Sequence, residues 1–276
     1  MSALQNLIFD VGMHKGEDTI FYLKKGFNVV ALEADSELIA SCRQRFAAEI
    51  TAGRLHIVEG AIAPAGVGDR IVFYKNKINS VWGTIRTDWA ERNARMCAPS
   101  EKIDVNSIDM ANVFRTYGIP HYLKIDVEGA DCLVLNTLKE FTDRPTYVSI
   151  ESEMVDFAKL EAELNLLCDL GYKHFQPVQQ QRIPGSKIVT HDLQGRAIAH
   201  VFEEAASGPF GEDLRTPWLS YDECRREYLQ IFHNYRAFGN NAPIRKIIGA
   251  PRVIRLFELG FGIALPGWYD THAKLD

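Results

Sequence analysis

Two stretches of this chain bring together residue types that can bind a nucleoside and move a proton. The first is Asp10-Val-Gly12-Met-His14-Lys15-Gly16-Glu17-Asp18-Thr19, which follows an apolar, strand-like run from Leu4. Gly12 permits a tight turn and a close approach of backbone to ligand. A helix after such a turn presents unpaired N–H groups. The next apolar run, Asn28 to Glu33, ends in an acid 21 residues after Gly12. A carboxylate there can accept two hydrogen bonds from a ribose diol, each roughly twice as strong as a neutral bond. This is the nucleoside-binding arrangement of doubly wound sheets, whose ligands sit at the carboxyl ends of the strands. The turn departs from the Gly-x-Gly-x-x-Gly of dinucleotide sites, because His14 stands where the close-approach middle glycine would be. Glu17 and Asp18 oppose an anionic phosphate and suit a cationic sulfonium ligand. Asp35, just beyond Glu33, and Glu59-Gly60-Ala61, after the third apolar run Leu55 to Glu59, fall at the same predicted edge.

The second stretch is Lys124-Ile-Asp126-Val-Glu128-Gly-Ala130, at the end of a strand beginning at Tyr122. Strand alternation lets Asp126 and Glu128 point the same way. A base placed on a hydroxyl contributes roughly 10²–10⁴-fold to its reaction. Asp126 fits that role, or the role of an orienting group. Glu128 fits it too, or contacts the first turn or caps the following helix. His191 and His272, in Thr190-His-Asp192 and Thr271-His272, are imidazole alternatives. Glu151 ends the fifth strand, Thr146 to Glu151. With Asp126 it offers two oxygen ligands to a divalent ion, but no third ligand is identifiable and no metal is expected. Asn79-Ser80-Val-Trp82-Gly-Thr84 lies in an irregular segment, 76–101. It reads as a lid or sugar-stacking wall, or as a packing tryptophan under a loop. Arg245, Lys246, Arg252 and Arg255 make the tail locally basic, as a solvated face or a site for a phosphate-bearing or carrier-linked substrate.

The elements that must position these groups alternate. Helical patterns over Glu17–Lys25 and from Ser36 to Gly53 separate the first three strands. Strand-helix-strand order of this kind implies parallel strands with helices on both faces. Arg70–Lys75 and Lys102–Asn106 read as extra or edge strands. Ser107–Tyr117 reads as a helix, as does the segment from Gly129 to about Phe141. Val155–Leu170 is amphipathic, with Phe157, Leu160, Leu164 and Leu167 on one face. Tyr172–Phe175 and Ala197–Phe202 are candidates to close the sheet. After Ala206 the style changes. Ser207-Gly-Pro-Phe-Gly is a turn cluster, and Ser220-x-x-Glu223 is a capping-box signature for a helix to about Phe238. The expected division is a nucleoside-binding domain over 1–206 and a helical appendage over 207–276, which would complete the substrate site.

Length and composition bound the function. At 276 residues and 46% hydrophobic content the chain buries a sizeable core. A net charge of -5 argues against a nucleic-acid partner. No apolar run approaches a membrane span. The N-terminal residues lack signal-peptide character, so the expected location is the cytoplasm. Five cysteines, widely spaced and without a C-x-x-C pair, read as buried small hydrophobes and support neither a disulfide framework nor structural zinc. Nothing in the sequence selects an oligomeric state.

The turn Asp10 to Thr19 resembles the first motif of the FkbM-type methyltransferases. Lys124-Ile-Asp-Val-Glu-Gly-Ala130, followed by Leu133-Val-Leu135, resembles that family's most specific motif, and the likeness runs from residue 7 to about 176. The resemblance implies a Rossmann-like class I methyltransferase fold, with a mixed seven-stranded sheet and an antiparallel seventh strand. It also implies S-adenosyl-L-methionine as cofactor and O-methylation of a small molecule, sugar or glycan. On it, Asp10, Gly12 and Gly16 surround the amino-acid end of the cofactor, Glu33 holds the ribose, Glu59, Gly60 and Ala61 lie beside the adenine, and His14, Lys15, Thr19 and Asp35 also belong to the cofactor site. Asp126 serves both cofactor and chemistry. Ala34 stands where the family often has Pro, and Glu59 where many members have Asn, which weakens the adenine assignment. The competing readings are a nicotinamide-dependent oxidoreductase and a non-catalytic protein with a degenerate site.

Overall fold

A computed structural model describes residues 3–64, 66–238 and 267–276. In chain order the elements are β1 (Leu4–Val11), α1 (Thr19–Lys24), β2 (Asn28–Glu33), α2 (Ser36–Arg45), α3 (Ala47–Thr51), β3 (Leu55–Glu59), β4 (Ala61–Ile62), β5 (Arg70–Asn76), α4 (Thr87–Arg95), β6 (Ser100–Ile108), α5 (Met110–Tyr117), β7 (Pro120–Ile125), α6 (Asp131–Thr137), β8 (Tyr147–Glu151), α7 (Phe157–Asp169), β9 (His174–Gln179), β10 (Lys187–His191), β11 (Ala197–Val201), α8 (Tyr221–Phe238) and β12 (Tyr269–Lys274).

Seven strands form one sheet in the order β3-β2-β1-β7-β8-β12-β9. The pairs among β3, β2, β1, β7 and β8 are parallel, and β12 runs antiparallel to both β8 and β9. The order reverses between β1 and β7, and the two motifs meet there: Asp10 pairs with Lys124 and Val11 with Ile125. The antiparallel strand is the last of the seven in sequence, as the resemblance implies.

Side-chain alternation splits the core in two. Phe9, Val11, Leu123, Ile125, Val148 and Ile150 join residues of α5, α6, α7 and α8 on one face. Ile8, Val29, Ala31, Tyr122 and Tyr147 join α1 and a covering segment that includes Ile183, Phe202 and Phe210 on the other. Leu160, Leu164 and Leu167 of α7 are fully buried, each burial favourable by about 1.5–3 kcal/mol. The capping box at α8 forms as expected: Glu223 accepts from Ser220 N–H at 2.8 Å, and Ser220 Oγ lies 3.4 Å from Glu223 N–H.

The structure differs from the sequence reading in four places. First, Ala197–Val201 pairs with Lys187–His191 in a separate hairpin and does not close the large sheet. Second, Tyr269–Lys274, from the segment expected as an appendage, lies inside the sheet. Its alternation hid it: Thr271 and Ala273 face the helical core, while Asp270 and His272 face the other way and are buried, His272 stacked on the Tyr122 ring. Third, the irregular segment contains a helix, α4, whose buried residues are Ala90 and Asn93 and not large apolar ones. Fourth, Cys97 and Cys132 are exposed; among the cysteines only Cys42 and Cys224 are buried, and all five are free. The basic cluster Arg245, Lys246, Arg252 and Arg255 lies outside the described residues. Among the described residues no helix is long and apolar enough to cross a membrane.

Candidate active site

The turn after β1 is built by contact as much as by sequence. Gly12 has φ +91°, and a Cβ there would lie 1.9 Å from the Asp126 carbonyl oxygen, so only glycine lets the two motifs touch. Gly12 and Met13 donate N–H to the Leu32 carbonyl, and Asp126 donates to Val11. Gly16, at φ +81°, makes the same allowance for the Phe46 ring.

Behind the turn sits a buried ion cluster. Lys124 Nζ donates to the Gly12 carbonyl at 2.9 Å and lies 3.3 Å from Asp10, 3.6 Å from Asp126 and 3.7 Å from Asp18. Burial alone would discharge this lysine, but the charges of Asp10, Asp126 and Asp18 carry its pKa well above the usual value. Burial raises the pKa of Asp10 against the pull of Lys124, and pushes Asp18 up to about 6. Thr19 Oγ1 donates to Asp10 at 2.6 Å. Asp18 accepts the Ser207 N–H at 2.9 Å, which ties the covering segment to the turn.

In front of the turn opens a cleft of about 810 Å³, counted to its mouth. Gly12, His14, Glu33, Gly60, Ala61, Asp126 and Glu128, from seven expected positions, line it. So do Glu17, Asp18, Lys124, Phe73 and the segment residues Ser80, Val81, Gly83, Thr84 and Ile85. Glu33 is fixed by three backbone donors at 2.8 Å: His14 N–H on Oε2, and Ala34 and Asp35 N–H on Oε1. A carboxylate has about four acceptor sites, so it retains capacity on the cleft side. Burial raises its pKa against those three bonds.

Asp126 is the open acid, its side chain 43% exposed. Glu128 is 14% exposed, and its nearest cation, Arg92, is 3.9 Å away. Burial, then the charge of Asp126, pushes Glu128 up to about 8. The same causes act along the carboxyl edge of the sheet. Asp131 is pushed up to about 6, and Glu151 and its β12 neighbour Asp270 well above the carboxylate range. Among the described residues no group of three or more His, Cys, Asp or Glu is placed to hold a metal ion.

Other expected site residues lie off the cleft surface. Asp10, Gly16 and Thr19 shape the turn from behind. Lys15 is exposed and gives its carbonyl to Arg45 at 2.9 Å. Asp35 caps α2 through Glu37 N–H and pairs with Lys75. Glu59 pairs with Arg43. His191 is exposed on the β10–β11 hairpin. His272 is buried in β12, where desolvation holds its imidazole down at about 3. Trp82 is half-buried and outside the lining, although its neighbours form part of it. Sequence reasoning missed Lys124 as the hub of the cluster. Its signal was a lysine between Leu123 and Ile125 in a strand that is otherwise buried.

Comparison with known proteins gives a family match. The model of the methyltransferase FkbM domain matches residues 10–174, more than half of the chain. No curated protein matches. Solved structures with a similar arrangement include a SAM-dependent methyltransferase from Archaeoglobus fulgidus, with 10% identity over 98% of this chain and 86% of that one and a TM-score of 0.39. A precorrin-6y C5,15-methyltransferase from Geobacter metallireducens gives 12% identity over 73% and 77%, with a TM-score of 0.36. A glycopeptide N-methyltransferase in complex with (S)-adenosyl-L-methionine gives 13% over 99% and 88%, with a TM-score of 0.33.

Proposed function

Because the chain belongs to the FkbM methyltransferase family, a family dependent on S-adenosyl-L-methionine, we propose that its cleft holds this cofactor and that a hydroxyl of a sugar, glycan or other small molecule receives the methyl group. The observation that carries the reading is Glu33: an acid at the end of β2 that lines the cleft, is held by three backbone donors and keeps about one acceptor site on Oε2. The lining fits the group. It offers the acids Glu17, Asp18, Glu33 and Asp126 against one ion-paired lysine, which favours a sulfonium and disfavours a pyrophosphate. A nicotinamide dinucleotide would also need close approach at His14, whose ring is engaged by Glu17 and Ser80.

In this reading Glu33 accepts from a ribose hydroxyl, Gly60 and Ala61 flank the base, and Gly12 and His14 border the amino-acid end. The bound cofactor supplies an electrophilic methyl carbon on sulfur. Asp126, exposed and steadied by Lys124, orients the acceptor. Glu128, once ionised, would take the acceptor's hydroxyl proton; a carboxyl pushed up to about 8 has the proton affinity for that role. His191 has no part in this scheme, because its strand lies outside the cleft.

The test is methyl transfer from labelled cofactor to fractionated glycans and sugar nucleotides, comparing the wild type with Asp126→Asn. Loss of transfer in a folded variant supports the scheme. Undiminished transfer removes Asp126 from it, and label found only on amino groups overturns the hydroxyl acceptor.

A further inference from the structure

The cleft is crossed by a strap, residues 77–86, whose attachment the scheme above leaves unused. At one end the Asn76 side chain accepts the N–H groups of Ile78 and Asn79 at 3.0 and 2.9 Å. At the other, Thr84 Oγ1 donates to the Glu128 carbonyl at 2.7 Å, beside the proposed proton acceptor. Between them, Ser80 Oγ lies 2.8 Å from His14 Nε2, and His14 Nδ1 lies 2.9 Å from Glu17 Oε1. The carboxylate only accepts, so it fixes the ring with Nδ1–H toward Glu17. Nε2 is then free to accept from the Ser80 hydroxyl.

His14 holds this position at a cost. Its φ is +51°, in the left-handed region that residues with a Cβ seldom occupy, and its own N–H is spent on Glu33 at 2.8 Å. Glu17 is braced in turn by Lys15 N–H at 3.0 Å. Burial works against its charge, but the hydrogen bond from His14 leaves its pKa below the ordinary value. His14 thus joins three parts of the site: its backbone N–H holds Glu33, and its ring links Glu17 in the turn to Ser80 in the strap.

We propose that Glu17, His14 and Ser80 form a clamp that fastens the strap across the cleft, which makes Ser80 and His14 positioning residues for retention of the cofactor. The proposal rests on the cleft being the cofactor site. Ser80 is exposed, so its bond is the weak link and opens first when the cofactor exchanges. The strap remains hinged at Thr84 and Asn76.

The experiment follows dissociation of S-adenosylhomocysteine from the full chain by stopped flow, with steady-state kinetics on the same preparations. A single net hydrogen bond corresponds to roughly 3- to 10-fold. Ser80→Ala is expected to release the product faster by that factor and to raise the cofactor KM more than it lowers kcat. Ser80→Thr, which keeps the hydroxyl, restores retention. Glu17→Gln speeds release, and the double variant Ser80→Ala/Glu17→Gln is no faster than the faster single variant, because both break one clamp. An unchanged rate in Ser80→Ala, or effects that multiply in the double variant, overturns the clamp while leaving the cofactor site intact. A wild-type protein that binds no S-adenosylhomocysteine overturns the site assignment and the clamp with it.

Discussion

Lys124→Met keeps a side chain of similar length and removes the only cation within 4 Å that Asp10, Asp18 and Asp126 are shown to share. Asp126 is open to solvent and loses little. Asp10 and Asp18 are 0% and 3% exposed and lose their neutralising partner. Breaking a buried pair from one side costs about 3–5 kcal/mol, against a total stability on the order of 5–15 kcal/mol, so the variant folds but is much weakened. The sign of the pH dependence follows from proton binding. Both acids already have folded pKa values above their unfolded ones, and removing Lys124 raises them further. The folded variant therefore binds more protons than its unfolded chain between about pH 4 and the raised values, and its stability falls as pH rises through that window. Urea unfolding at pH 5.0 and 7.5 is the assay. The expected result is a loss near 4 kcal/mol at pH 7.5 that shrinks clearly at pH 5.0. A loss below about 1 kcal/mol, or one that is equal at both pH values, would refute the reasoning.

Glu33→Ala removes the acceptor of three backbone N–H groups and should weaken S-adenosylhomocysteine binding by at least tenfold in a titration, in line with about 1.5–3 kcal/mol for a charged hydrogen bond; unchanged affinity would show that the ribose is elsewhere. Glu128→Gln should stabilise the ligand-free protein at pH 8 relative to pH 5, on the order of 1–3 kcal/mol, because a carboxyl raised to about 8 in the fold loses stability as pH climbs from its unfolded value toward 8; thermal melts across that range check it. The methyl-transfer rate of the wild type should rise with pH up to about 8 as Glu128 ionises, and a flat profile would exclude Glu128 as the proton acceptor.

The order of the first five core strands was legible because each is an apolar run with a turn or helix pattern between, and the two motifs stood at strand ends. The seventh strand was not. Asp270 and His272 make Tyr269–Lys274 look like surface, and what buries it is non-local: pairing with both β8 and β9, and the Tyr228 hydroxyl of α8 on Thr271. In the site, spacing located Gly12, Glu33, Asp126 and Glu128, since these belong to turns and strand ends. It could not separate residues that face the cleft from those that support it: Thr19 and Asp35 have ligand-like chemistry, yet one serves Asp10 and the other Lys75. Nor could it place Ser80 against His14, 66 residues apart, because that contact depends on how the β5–α4 segment folds back.

A crystal structure of the protein with S-adenosylhomocysteine tests the central claim most directly. The expected result is the nucleoside in the cleft, with a ribose hydroxyl on Glu33, the base beside Gly60 and Ala61, and the sulfur on the side of Asp126 and Glu128. Density for the ligand outside this cleft, or a cleft that stays empty at saturating ligand, would contradict it.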